Sequence, residues 1–240
     1  MQQGRVMHTI SIPQHIKERI RAVRGSDHVF KSLDPARVAH LCVDMQNGFC
    51  EPGAPIEVPM TREIFGQINT ISAAVRAAGG SNFFSRYTRD PAEPIDWSIW
   101  FDNYLSQAQL DQQAEFRRGQ HAWEVAPEIT VKEGDVVFDK TRFSCLIPGT
   151  SPLGAELEAR GVDTLIITGT LTNCCCESTA RDALQMGYKV IFVSDANATL
   201  SDEEHNATLI SMYTIFADVM TTAELTALLG VEPEAEHAAA

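Results

Sequence analysis

The chain lacks any apolar run of the roughly 20 residues that a membrane-spanning helix needs. Its opening stretch, MQQGRVMHTISIPQHIKERI, lacks the unbroken apolar core of a secretory leader. A cytoplasmic protein with no membrane partner is the expectation. Positive charge is also short: 19 Lys and Arg stand against 32 Asp and Glu, a formal net charge of −13. That balance excludes nucleic acid and anionic membrane surfaces as natural partners. It also means that an anionic substrate needs positive charge supplied locally. No Pro/Gly/Ser-rich linker divides the 240 residues, so one large domain around one core is expected. Cysteine is poorly placed for cross-linking. Cys42, Cys50 and Cys145 are scattered, and Cys174, Cys175 and Cys176 are consecutive. This is no disulfide framework, and it suits a reducing compartment.

What is present is an alternation of apolar runs and helical patterns. Residues 1–35 read as an appended arm, with a helix opened by Pro13 and running through Arg24. Residues 36–230 read as the globular domain and 231–240 as a disordered tail. Val38 to Met45 is a buried strand, followed by a helix from about Arg62 to Ala78 that carries Ile64, Ile68, Ile71 and Val75 on one face. Further strands are expected at Asn82–Tyr87, Val136–Lys140, Thr164–Gly169, Val190–Val193 and near Asp218–Met220. Helices fall at Leu153–Arg160 and Cys175–Met186, from a Ser201–Glu204 capping box to about Ile215, and at Ala223–Leu229. Residues 90–130, which hold Trp97, Trp100 and Trp123, read as an insertion over the functional edge of the sheet. Six strands alternating with helices predict an α/β protein with three α/β/α layers and a parallel sheet.

In such sheets the site lies beyond the carboxyl ends of the strands. Asp44 follows the first strand, Lys140 ends the third, and the turn 169–175 follows the fourth. That turn delivers a cysteine to the first turn of a helix, where unpaired N–H groups and the positive dipole end favour a thiolate. Thr172 or Asn173 is the expected N-cap. The same N–H groups suit a developing oxyanion. An aspartate in reach can accept the thiol proton and later deliver it to a leaving amine. A lysine in reach lowers the thiol's pKa, a role that Arg142 can share. None of the seven histidines is placed as the base; His40 and His205 read as core or packing residues. Composition alone leaves open which of the three thiols is the nucleophile, and whether the triplet is only small apolar filler.

Three stretches in this order resemble the isochorismatase-like cysteine hydrolase family over roughly residues 36–225: Val43-Asp44-Met45-Gln46-Asn47, Lys140-Thr141-Arg142-Phe143-Ser144, and Thr168 through Asp182 around Asn173-Cys174-Cys175-Cys176-Glu177. The resemblance implies a six-stranded parallel sheet and a homo-oligomer, a dimer or tetramer. It implies an Asp44–Lys140–Cys175 triad acting through a covalent acyl-enzyme. It also implies a cis peptide at Thr170–Leu171, with the backbone N–H groups of Leu171 and Cys175 as oxyanion donors. Relatives carry Val-Cys-Val where this chain has three cysteines. The branch that acts on isochorismate lacks the cysteine. Nicotinamidases add an Asp-x-His metal motif after the second strand, where this chain reads Arg86-Tyr87-Thr88-Arg89-Asp90-Pro91. No metal or other cofactor is therefore expected.

The motifs are most similar to those of ureidoacrylate amidohydrolases and N-carbamoyl-type amidases. Arg86, Tyr87 and Trp100 are the expected substrate contacts, with Trp97 and Trp123 as packing or interface residues. A nicotinamidase-like deamidase, a redox-sensing thiol protein and a non-catalytic scaffold are the alternatives.

Overall fold

The structure is a computed structural model that describes residues 7–90, 92 and 96–231. Six strands form a single, wholly parallel sheet in the order β3-β2-β1-β4-β5-β6. They are β1 Val38–Val43, β2 Ser81–Tyr87, β3 Val136–Lys140, β4 Thr164–Thr170, β5 Lys189–Ala198 and β6 Asp218–Met220. Parallel neighbours need a crossover, and among the described residues helices supply it. They are α1 Gln14–Arg24, α2 Asn47–Cys50, α3 Phe65–Ala78, α4 Ser98–Tyr104, α5 Gln107–Ala114, α6 Leu153–Ala159, α7 Glu177–Gln185, α8 Asp202–Ser211 and α9 Thr222–Leu228.

The central strands β1 and β4 are buried along their whole length because both faces are covered. Val38, Cys42, Phe84, Ile166 and Ile191 join the core under α3 and α9. Ala39, Leu41, Phe83, Ile167 and Phe192 join the core under α6, α7 and α8. Phe83, Phe84 and Phe192 are fully buried, each worth roughly 2–3 kcal/mol of transfer free energy. The one imidazole inside β1 is paired: His40 meets Asn82 at 3.1 Å and Thr168 at 2.8 Å. Burial lowers its pKa to about 4.

Several boundaries differ from expectation. Residues 59–63 form a 3₁₀ turn opened by Pro59, and the helix proper starts only at Phe65. β5 runs five residues further than its apolar run, to Ala198. It pairs with β4 again after a register shift, and Asn197 bridges the gap by donating to the carbonyls of Ile167 and Val193. At Ser201 the hydroxyl accepts the Glu204 N–H, but the Glu204 carboxylate takes the hydroxyl proton rather than the backbone N–H, so the capping box is half formed. The 90–130 segment holds α4, α5 and a 3₁₀ turn at His121–Trp123. It returns along the chain after β1, where Asn47 N–H donates to Glu124 and Ala126 N–H to Met45. The arm packs on its own domain: Ile12, Ile16 and Ile20 rest against the α7–α8 side of the core. Most of the expected disordered tail, residues 232–240, lies outside the described residues.

Candidate active site

Strand order reverses between β1 and β4, and the chain leaving each carries polar groups at that point. Asp44 has a left-handed backbone, φ 52°, a conformation that Asp and Asn accept more readily than other side chains. Ser85 of β2 holds it there. The Asp44 N–H meets the Ser85 carbonyl and Oγ at 3.2 and 3.1 Å, and the Ser85 hydroxyl donates to Asp44 Oδ1 at 2.7 Å.

Lys140 arrives from β3, with its Nζ 5.6 Å from the ring centre of Tyr87. That nitrogen lies 2.7 Å from Asp44 Oδ2 and 3.5 Å from Cys175 Sγ, and it donates to the Arg142 carbonyl at 2.9 Å. Both charged side chains are wholly buried. At 2.7 Å the Lys140 ammonium engages Asp44 Oδ2 directly, while Oδ1 takes the Ser85 hydroxyl, so the buried carboxylate is balanced by one cation and one neutral donor.

The turn after β4 completes the cluster. Gly169, at φ 111°, passes so close to β1 that a Cβ would collide with the Val43 carbonyl. The Thr170–Leu171 peptide is cis. Thr172–Cys176 is a single π-helical turn leading into α7. Neither Thr172 nor Asn173 is the N-cap. Leu171 flanks the turn, and both polar side chains are drawn instead to α8 and the loop before it, Thr172 to His205 and Asn173 to Thr199. Within the triplet, Cys176 is fully buried with Thr179, Ala180 and Ala183, Cys174 is half-buried, and Cys175 is 5% exposed and faces Lys140.

The electrostatics are mutual. Burial is the largest influence on Lys140 and opposes its charge, but Asp44 with Cys175 and Cys145 together outweigh it and hold the ammonium protonated well above the ordinary lysine range. The Cys175 thiol is pushed up by its contact with Cys174 and by burial, with Lys140 working the other way. The resting sulfur is therefore a thiol, and it needs a base. No histidine contacts it among the described residues. His205 is spent on Thr172 and the Ser194 carbonyl, and burial lowers its pKa to about 4.

A cavity of about 220 Å³ opens beside this cluster. Tyr87 belongs to both, a wall of the cavity and a neighbour of Lys140. Thr88 and Arg89 follow it, Trp97 and Phe101 come from the insertion, and Thr141 and Arg142 follow Lys140 into the wall. The Arg89 guanidinium lies 3.7 Å from the Phe101 ring centre and has no carboxylate partner among the described residues. Arg142 lies 4.7 Å from the Trp97 ring centre and donates to the Thr141 carbonyl. Three carboxylates share the wall: Asp90 is engaged by Arg118, Asp96 by Ser98, and Asp102 stands beside Phe101.

Two of the three expected substrate contacts do not reach this cavity. Arg86 is in register with Asp139, pairs with it at 2.9 Å and stacks 3.5 Å from the Trp123 ring centre. Trp100 stacks on Tyr104 and meets Phe143 edge-on, while its neighbour Trp97 forms the wall. Ser85 and Arg89 went unread in the sequence. A small polar residue within the apolar run Phe83–Tyr87, and an arginine sharing Tyr87's parity, were the available signals. Among the described residues no three His, Cys, Asp or Glu are grouped to hold a metal ion, and no helix is long and apolar enough to cross a membrane.

Comparison with known proteins places this arrangement. An isochorismatase domain model matches residues 38–224. A ureidoacrylate amidohydrolase, RutB of Methylobacterium radiotolerans, is 32% identical over 218 residues, covering 85% of this chain and 84% of that protein. The crystal structure of a cysteine hydrolase from Pseudomonas syringae pv. phaseolicola superimposes with a TM-score of 0.76 at 31% identity, covering 85% of this chain and 97% of that one. An N-carbamoylsarcosine amidase from Thermoplasma acidophilum matches with a TM-score of 0.63 at 25% identity, over 78% and 96% of the respective chains.

Proposed function

The chain belongs to the isochorismatase family of hydrolases, and on that premise we propose that it is a cysteine amidohydrolase that opens a C–N bond of a small ureido or carbamoyl acid. The observation that carries this reading is the contact of Lys140 Nζ with both Asp44 Oδ2 and Cys175 Sγ in a buried cluster at the strand ends. A buried thiol needs a base, and Asp44, joined to the sulfur through the same ammonium, is the group at hand.

Asp44 takes the proton of Cys175, and the Lys140 ammonium stabilises the thiolate as it forms. The sulfur attacks the carbonyl carbon. The oxyanion is held by the backbone N–H groups of Leu171 and Cys175, donors worth about 3 kcal/mol each in comparable sites. The C–N bond breaks as Asp44 returns the proton to the leaving nitrogen. Ammonia or an amine departs and leaves a thioester or thiocarbamate on Cys175. Asp44 then takes a proton from water, which attacks the same carbon and frees the thiol.

Arg89, laid on Phe101 with no carboxylate partner among the described residues, is the proposed partner of a substrate carboxylate, in a wall that it shares with Asp90, Asp96 and Asp102. The relatives named above as acting on ureidoacrylate and N-carbamoylsarcosine agree with this class. As in much of the family, the working form is a homo-oligomer. An ammonia-release screen over ureido acids, carbamoyl amino acids and neutral amides tests the proposal, with Cys175→Ala as control. Release confined to the acids, and reduced at least about 10³-fold in the variant, is expected. Turnover surviving Cys175→Ala would overturn it.

A further inference from the structure

The arm lies outside the family match, which begins at residue 38, yet it reaches the turn that carries Cys175. The side chain of His8 is only 4% exposed. Its ring lies flat on that of His205, with centroids 4.4 Å apart and planes 13° from parallel. Its Nε2 meets the Thr199 N–H at 3.1 Å and its Nδ1 meets Asp202 Oδ1 at 2.9 Å. Because the backbone N–H can only donate, Nε2 is the acceptor, and Nδ1 carries the proton toward Asp202.

Both partners of His8 continue into the nucleophile turn. His205 Nε2 faces the Ser194 carbonyl at 3.1 Å, which fixes Nδ1 as the acceptor of the Thr172 hydroxyl at 3.0 Å. The Thr199 hydroxyl donates to Asn173 Oδ1 at 2.7 Å. Thr172 and Asn173 open the π-helical turn that ends at Cys176. His205 stays neutral far into the acid range because burial, with His8 adding to it, lowers its pKa to about 4. The arm is pinned at its far end as well, where Asp218 accepts the N–H groups of Val29 and Phe30 and faces His28 Nδ1 at 3.0 Å.

We infer that His8 is a positioning residue: through His205 and Thr199 it holds Thr172 and Asn173, and so keeps Cys175 Sγ aligned with Asp44 and Lys140. The inference rests on Cys175 being the nucleophile. A segment outside the matched domain thereby becomes part of what orients the reacting sulfur. Small displacements of a reacting atom are costly in rate even when binding is intact.

The test uses the full chain and the acid turned over fastest in the ammonia-release screen. His8→Ala removes ring and hydrogen bonds. His8→Phe keeps the stack and the burial but not the bonds, and it carries the test if the alanine variant does not fold. His8→Gln offers Oε1 to the Thr199 N–H. The expected result is a fall in kcat on the order of tenfold in the Ala and Phe variants, with KM within about twofold and most of kcat recovered by Gln. A kcat within about twofold of the unsubstituted chain in both variants would overturn the inference. So would a loss that merely follows the unfolded fraction and is not recovered by Gln. Cys175→Ala, run in parallel, separates the two levels. If it still releases ammonia, the nucleophile assignment fails, whatever His8 does.

Discussion

The two halves of the site are built in different ways. Asp44, Lys140 and Cys175 stand where three parallel strands end, wholly or almost wholly buried, each fixed by a neighbouring backbone. The adjoining cavity is walled by the end of β2 and by the irregular 90–130 segment, with arginines laid over aromatic rings. On the proposed function, the contrast gives bond chemistry to the strand ends and choice of substrate to the cavity walls, a division that suits a fold hosting many activities.

Substitutions can break that division, and the largest effect is expected at Asp44. Asp44→Asn keeps a side chain that tolerates the left-handed backbone, so it isolates the charge. Loss of the base should lower kcat about 10²–10⁴-fold. The Lys140 ammonium, left buried beside a neutral amide, should cost about 3–5 kcal/mol in urea unfolding. Unchanged stability with unchanged kcat would mean that the buried pair is neither base nor brace. Next in size is Arg89→Met, which leaves the packing on Phe101 and removes the charge. KM for acidic substrates should rise about 10–100-fold with kcat within about twofold. A loss carried by kcat instead would place Arg89 on the chemical side of the division. Ser85→Ala is the finest probe. It strips Asp44 Oδ1 of its donor without touching any charge, and kcat should fall about tenfold with KM unchanged.

The rigid half was largely legible in the sequence and the cavity was not. Largely apolar runs mark β1 and β4 because both faces of each are covered, and a polar residue ending such a run has few places to go but the strand-end site. Arg86 was misread because it alternates with Tyr87. Only one of two successive strand residues can face a given side, and Arg86 faces Asp139 in the adjacent strand. Arg89 was hidden by a different cause, since its role depends on where the insertion returns and no local pattern encodes that. The misplaced N-cap has the same origin. Thr172 and Asn173 are good capping residues, but α8 and its preceding loop compete for their side chains and win. The length of β5 was invisible because its second half, Asp195–Ala198, is held by Asn197 rather than by an apolar run.

The cysteine triplet also bears on how this protein would answer an electrophilic probe. Cys175 is 5% exposed, whereas Cys174, its immediate neighbour, is half-buried. Inactivation by an electrophile therefore does not by itself identify the sulfur that was hit. A mass shift on the tryptic peptide is equally silent, because all three thiols travel together between Arg160 and Arg181. Only fragmentation between adjacent residues reads the inner thiol by itself.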